Sequence, residues 1–149
     1  MKNGNRIIWV LCIAIVAVLL VSLRVAPKKE VGGPVECLDQ NKPLTQHKHA
    51  VLQIVINGVP ATLPKDIGIA EDCEKMLHTH DTTGTVHVEA QNARAYTLGD
   101  FFAVWGKPLV TQNFLHMTVD GSEREGDPTG LVLAESQQII LYYKTPNGK

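Results

Sequence analysis

The chain has 149 residues, with 14 basic and 15 acidic side chains and a formal net charge of −1 at neutral pH. That near balance argues against a nucleic-acid partner, which calls for a basic surface. With the apolar N-terminus set aside, roughly 110 residues remain, enough for one small domain with a modest core.

From Ile7 to Leu23 the only polar residue is Ser22. These seventeen residues are the short end of a membrane-spanning helix. A buried core helix would need a polar face, which the run lacks. Lys2 and Arg6 precede it, as in a signal peptide or signal anchor. Arg24-Val25-Ala26 does not fit a cleavage site, and Cys12 lies too deep in the run for a lipoprotein site. Residues 1–26 therefore read as an uncleaved N-terminal membrane anchor, with a cleaved signal sequence as the alternative. Arg24, Lys28 and Lys29 on the far side weaken the positive-inside argument for orientation. The expected localisation is the cell membrane, single-pass through residues 7–23, with the C-terminal domain outside the cytoplasm.

Residues 27–46 hold Pro27, Gly32, Gly33, Pro34 and Pro43 with little apolar periodicity, and read as a linker. An extracytoplasmic domain is expected over 47–145. It starts with His47-Lys48-His49, which runs into a β-branched stretch, Ala50 to Ile56. Asn57-Gly58 is a strong hairpin signal, and Val59 to Leu63 should return as a short edge strand limited by Pro60 and Pro64. Lys65 to Met76 reads as a connection.

The stretch from Leu77 to Glu89 is predicted as a β-hairpin around a Thr/Gly turn. His78 and His80 share a face, since side chains alternate along a strand. A loop with an even number of residues places Leu77, Val86 and Val88 on one face. His78, His80, Thr85, His87 and Glu89 then share the other, and the buried side enforces that register. His47 and His49 repeat the same spacing at the entry to the first strand.

Thr97 to Gly106 reads as a helix with Thr97 as N-cap and Asp100 as the acid of a capping box. Leu98, Phe101, Phe102 and Trp105 form one apolar stripe, and Gly106 and Pro108 end it. Strands are expected at Asn113–Val119, which carries His116, at Ser122–Glu125, at Leu131–Leu133 and at Gln138–Tyr143, with Asp120-Gly121 and Asp127-Pro128-Thr129-Gly130 as turns. The expected class is α+β. It consists of an N-terminal transmembrane helix followed by a small mixed β-sheet domain with one main helix, in an order like that of a β-grasp sheet.

Three cysteines are present. Cys12 falls in the apolar run. Cys37 and Cys73 form an even pair that would most simply make a disulfide outside the cytoplasm. Cys73 as a metal ligand beside His78 is the rival reading. A redox pair lacks the Cys-x-x-Cys spacing.

The pattern resembles that of a family of small exported or membrane-anchored prokaryotic proteins. The shared pieces are His47 and His49, Asn57-Gly58, Ile67-Gly68-Ile69, Cys73, His78-Thr79-His80-Asp81 with His87 and Glu89, and the Thr97 to Gly106 segment. The resemblance covers roughly residues 45 to 145 and implies export and these boundaries, without implying a chemistry. The His-x-His-x-Asp pattern of metallo-β-lactamase-like hydrolases is not met, because Asp81 comes one place early. Cupins need a Glu sooner after His-x-His than Glu89.

Three imidazoles and a carboxylate on one surface are a ligand set for a divalent metal. His78, His80 and His87 are the expected ligands, joined by His47, His49 and Glu89 if the first strand lies beside the hairpin. Asp81 or Glu89 could orient an imidazole through its second nitrogen. The expected cofactor is a copper or zinc ion. The alternative is a non-catalytic binding or assembly module of the cell envelope, docking a protein partner along an edge strand, with structural or pH-sensing histidines. A zinc hydrolase with Glu89 as base has the least support, since no nucleophile motif is present.

Overall fold

β1, Gln46–Ile56, is the strand on which the molecule is assembled. The computed structural model describes residues 34–107, 109 and 113–145. The strand starts before the β-branched run, so His47 and His49 lie within it rather than ahead of it. One face buries Ala50, Leu52 and Ile54; the other carries His47, His49, Val51 and Gln53.

One edge of β1 is shared by two partners. Its second half turns back at Asn57-Gly58, both at positive φ, into β2, Val59–Ala61, with Ile56 opposite Val59. Two positive φ values match a tight hairpin turn. β2 is only three residues long and contains Pro60, which brings no backbone donor. The first half of the same edge is taken by β6, Thr85–Ala90, antiparallel. The opposite edge of β1 pairs in parallel with β9, Gln137–Tyr143.

Beyond β6 lies β5, Leu77–His78. Beyond β9 lie β7, Phe114–Val119, and β8, Ser122–Arg124. The order across the seven-stranded sheet is β5-β6-β1-β9-β7-β8, with β2 beside β1. Ile69–Ala70 (β3) and Cys73–Glu74 (β4) form a separate two-stranded ribbon. Leu131 to Leu133 is not a strand; it makes one isolated bridge, Thr97 to Val132, after a 3-10 turn at Pro128–Gly130.

Helix α1 spans Leu98–Trp105. Thr97 Oγ1 accepts from the Asp100 N–H at 3.2 Å, and Asp100 Oδ2 accepts from the Thr97 N–H at 2.9 Å, the reciprocal pair foreseen for this start. Gly106 closes it in the left-handed region. Leu98, Phe101 and Phe102 are buried with Leu52, Val86, Val88, Ile139 and Leu141 of the sheet. Each such side chain stabilises the fold by roughly 1.5–3 kcal/mol on burial.

The α+β expectation is corrected here. The described residues form a sheet-dominated mixed domain whose one α helix has eight residues. The apolar stripe of α1 runs for two turns and then meets Gly106, so it cannot supply a helical layer equal to the sheet. The β-grasp-like order is set aside with it: the hairpin partner β2 is a stub, and β6 takes most of the edge. Among the described residues no helix is long and apolar enough to cross a membrane. The expected transmembrane helix falls on residues 7–23, outside the described residues.

Residues 34–45, placed in the linker from composition, are tied to the domain. Cys37 and Cys73 form a disulfide, with Cα atoms 5.3 Å apart. The Leu38 N–H donates to Glu74 O at 2.7 Å, the Met76 N–H to Glu36 O at 3.0 Å, and Val35 is buried. Cys73 as a metal ligand is thereby excluded.

Gly84 sits at φ +88°, and a Cβ there would lie 2.4 Å from Leu52 O. The Leu52 N–H donates to Gly84 O at 2.8 Å, which draws the turn onto β1. A Gly84→Ala chain is expected to lose about 2 kcal/mol from backbone strain and displaced contacts. The check is a lower urea midpoint at unchanged slope.

Candidate metal centre

The histidines are gathered by strand register. His78 of β5 lies opposite His87 of β6, and His87 lies opposite His49 of β1, so three imidazoles form a row across three strands. His47 and Glu89 form the next row. The even loop is thus the one adopted: Leu77, Val86 and Val88 face the core, and His78, His87 and Glu89 face the other way. His80 has left the strand, yet its ring returns to 4.7 Å from that of His78 and 4.6 Å from that of His87.

The ring-to-ring contacts are continuous. His47 to His49 is 4.7 Å between centroids, His49 to His87 is 4.7 Å, and His87 stacks on His78 at 5.2 Å. Among the described residues, two groups built on His87 have ligand atoms mutually within 4.8 Å: His78, His80, His87 and Glu89, and His47, His49 and His87. All six expected ligands fall in one or the other. His116 belongs to neither; its ring stacks on Tyr142 at 4.4 Å.

His78 is the fixed point, fully buried. Gly68 passes over it so closely that a Cβ there would lie 3.3 Å from His78 Cβ and 2.4 Å from Leu77 O. The loop is pinned by Thr79, whose Oγ1 donates to Pro64 O and accepts from the Ile67 N–H, both at 3.1 Å. His78 Nδ1 is 2.8 Å from Lys75 O. A carbonyl only accepts, so Nδ1 carries a hydrogen, and in the neutral ring Nε2 keeps the lone pair.

That nitrogen faces a carboxylate oxygen and a second imidazole nitrogen, which donates to it in one of the His80 tautomers. His78 Nε2 lies 3.3 Å from Glu74 Oε1 and 3.2 Å from His80 Nε2, and His80 Nε2 lies 4.0 Å from the same oxygen. A carboxylate oxygen facing an imidazole lone pair repels it unless a proton or a cation lies between. A metal ion would satisfy all three groups at once.

Glu74 was not legible as a site residue. It sits on the two-residue β4, where no periodicity shows which way a side chain faces. The only sequence signal is its place next to Cys73, whose disulfide holds that segment. Asp81, expected to orient an imidazole, instead accepts from the Thr83 N–H at 2.8 Å and the Thr83 hydroxyl at 2.6 Å. These bonds hold its carboxyl below the usual range.

At the outer end, His47 Nε2 is 3.2 Å from Glu89 Oε1. His49 Nδ1 is 3.7 Å from Glu135 Oε1, and the His49 backbone N–H donates to Glu135 Oε2 at 2.9 Å. That backbone bond lowers the Glu135 carboxyl below its ordinary value. His87 Nδ1 is 3.5 Å from Glu89 Oε1 but makes no hydrogen bond, and the atom is buried. The contact is therefore one of charge and distance only.

Burial, and then the nearby His78, His80 and His49, push the His87 imidazolium below its ordinary value of 6.5, with Glu89 opposing. A depressed histidine means the unfolded chain binds a proton more readily. Its stabilising effect is complete above the ordinary value and is lost as pH falls through the lower folded value. The metal-free protein should therefore lose stability on acidification below about pH 6.5, and His87→Gln should flatten that slope. Urea midpoints across the range check this.

No family model matches the chain, and no curated protein or solved structure gives a significant match.

Proposed function

We propose that this is an exported protein whose histidine surface binds a transition-metal ion, zinc or copper. The observation that carries the reading is the convergence of three donor atoms, with the buried His78 Nε2 3.3 Å from Glu74 Oε1 and 3.2 Å from His80 Nε2. Imidazole with carboxylate suits either ion. Lys75 O orients His78 through its second nitrogen, as backbone carbonyls do for metal-bound histidines. The Cys37–Cys73 disulfide supports an oxidising compartment outside the cytoplasm.

The access favours exchange over permanent burial. His78 is fully enclosed, but the side chains of His80 and His47 are each 51% exposed. An ion can enter from that rim and be given up by it, as a carrier or buffer of metal requires.

The test is a metal-to-protein ratio, with the element identified, on the full chain purified without a polyhistidine tag. Bound zinc or copper, lost in a His78→Ala, His80→Ala variant, is the expected result. Metal at a hundred times its dissociation constant should add about 2.7 kcal/mol to stability. A chain that takes up neither ion and shows no thermal shift would leave the histidines as structural ion-pair partners of Glu74, Glu89 and Glu135.

A further inference from the structure

The site is larger than one ion needs. A tetrahedral zinc takes four donors. The surface presents five imidazoles, His47, His49, His78, His80 and His87, with three carboxylates beside them, Glu74, Glu89 and Glu135. These donors do not converge on one point. The two groups whose ligand atoms lie mutually within 4.8 Å have only His87 in common. The strand register explains why: His78 and His49 stand on either side of His87, two strand spacings apart.

We propose that the surface holds two divalent cations side by side, an inference that rests on the metal-binding reading above. The inner ion lies among His78, His80 and Glu74, under the loop that Gly68 closes. The outer ion lies by His47 and His49, at the rim. Glu89 is the wall between them. Its Oε1 is 3.2 Å from His47 Nε2, and one of its oxygens lies within 4.8 Å of ligand atoms of His78, His80 and His87, so the carboxylate already faces both groups. A carboxylate has two oxygens and serves two cations at once, whereas a neutral imidazole has one lone pair to give. His87 therefore binds one ion, and Glu89 bridges.

Charge supports the count. Two divalent ions bring four positive charges to a face with three carboxylates. Each acid is placed at a different station: Glu74 by His78 and His80, Glu89 in the middle, and Glu135 at His49. One ion at the inner end would leave Glu135 and His49 outside its reach. Paired carboxylate-bridged ions elsewhere sit about 3.5–4 Å apart, a separation at which two Cu(II) ions couple magnetically.

The experiment is equilibrium dialysis of the full untagged chain against Zn(II), and Cu(II) electron paramagnetic resonance on the same preparations. The expected ratio is two zinc ions per chain, falling to one in His47→Ala, His49→Ala. Those side chains are 51% and 41% exposed, so the fold should survive their removal, which circular dichroism checks. With Cu(II), the unaltered chain should give a spin-coupled signal, and the double variant and Glu89→Gln an isolated-ion signal. A ratio of one, whether or not His47→Ala, His49→Ala changes it, overturns the proposal while leaving metal binding standing. A ratio of two without spin coupling in the unaltered chain also overturns it, since the ions would then be apart. A ratio of zero removes the metal-binding reading itself.

Discussion

A His87→Ala chain is expected to lose more metal affinity than any other single histidine variant. The fall should exceed the 10–100-fold that is typical when only an outer partner of a ligand is removed. His87 gives its lone pair to one ion, and its ring also packs on those of His49, His78 and His80, so its removal takes away a ligand and loosens the imidazoles of both groups. The fold should tolerate the change. The His87 side chain faces away from the core, and the neighbours that bury β6, Val86 and Val88, are untouched. Isothermal titration with Zn(II), alongside the urea midpoint of the metal-free chain, separates the two effects. Unchanged affinity at unchanged stability would move the centre of the site elsewhere.

The second large effect is on stability. A Cys37→Ser, Cys73→Ser chain should lose about 3–4 kcal/mol by the loop-entropy argument for a 36-residue separation. The loss should show as a lower denaturant midpoint. It should also reach the site. The bridge holds residues 35–38 against 73–76, where Glu36 O accepts from Met76 N–H and Val35 O accepts from Lys75 Nζ. The same short stretch supplies Glu74 and the Lys75 carbonyl that orients His78. Freed of its anchor, it should hold metal more weakly even where the sheet remains folded. A variant that is less stable but binds zinc with unaltered affinity would show that the sheet alone fixes Glu74.

These two effects mark where the sequence was readable. The period-two pattern from Leu77 to Glu89 was enough to put His87 on the face of His78 and His80, because burying Val86 and Val88 requires an even loop; which of the two histidines lies opposite it was not legible. Asn57-Gly58, the Thr97/Asp100 capping box and the cysteine pair were legible for the same reason: each is a local rule carried by adjacent residues. What could not be read depends on distant contacts. Nothing near β1 shows that one of its edges is divided between β2 and β6, or that β9 lies parallel along the other. His80 looked like a strand residue, but β5 stops at His78 because Thr79 turns inward to Pro64 and Ile67. Glu74 was missed because its placement depends on a disulfide rather than on periodicity.

The pairing of β1 with β9 also governs when the cradle exists. His47 and His49 stand near the start of the domain, and the strand that closes the other edge of β1 lies at its end. Parallel pairing over so long a span is slow to form, because the intervening chain must be ordered first. A nascent polypeptide that has released only its first hairpins carries every imidazole of the cluster without the helix and the β9 edge that complete the core. Cation capture of the kind proposed is therefore expected of the finished molecule, and a product cut short before residue 137 should emerge with its ligands loosely held and its affinity reduced.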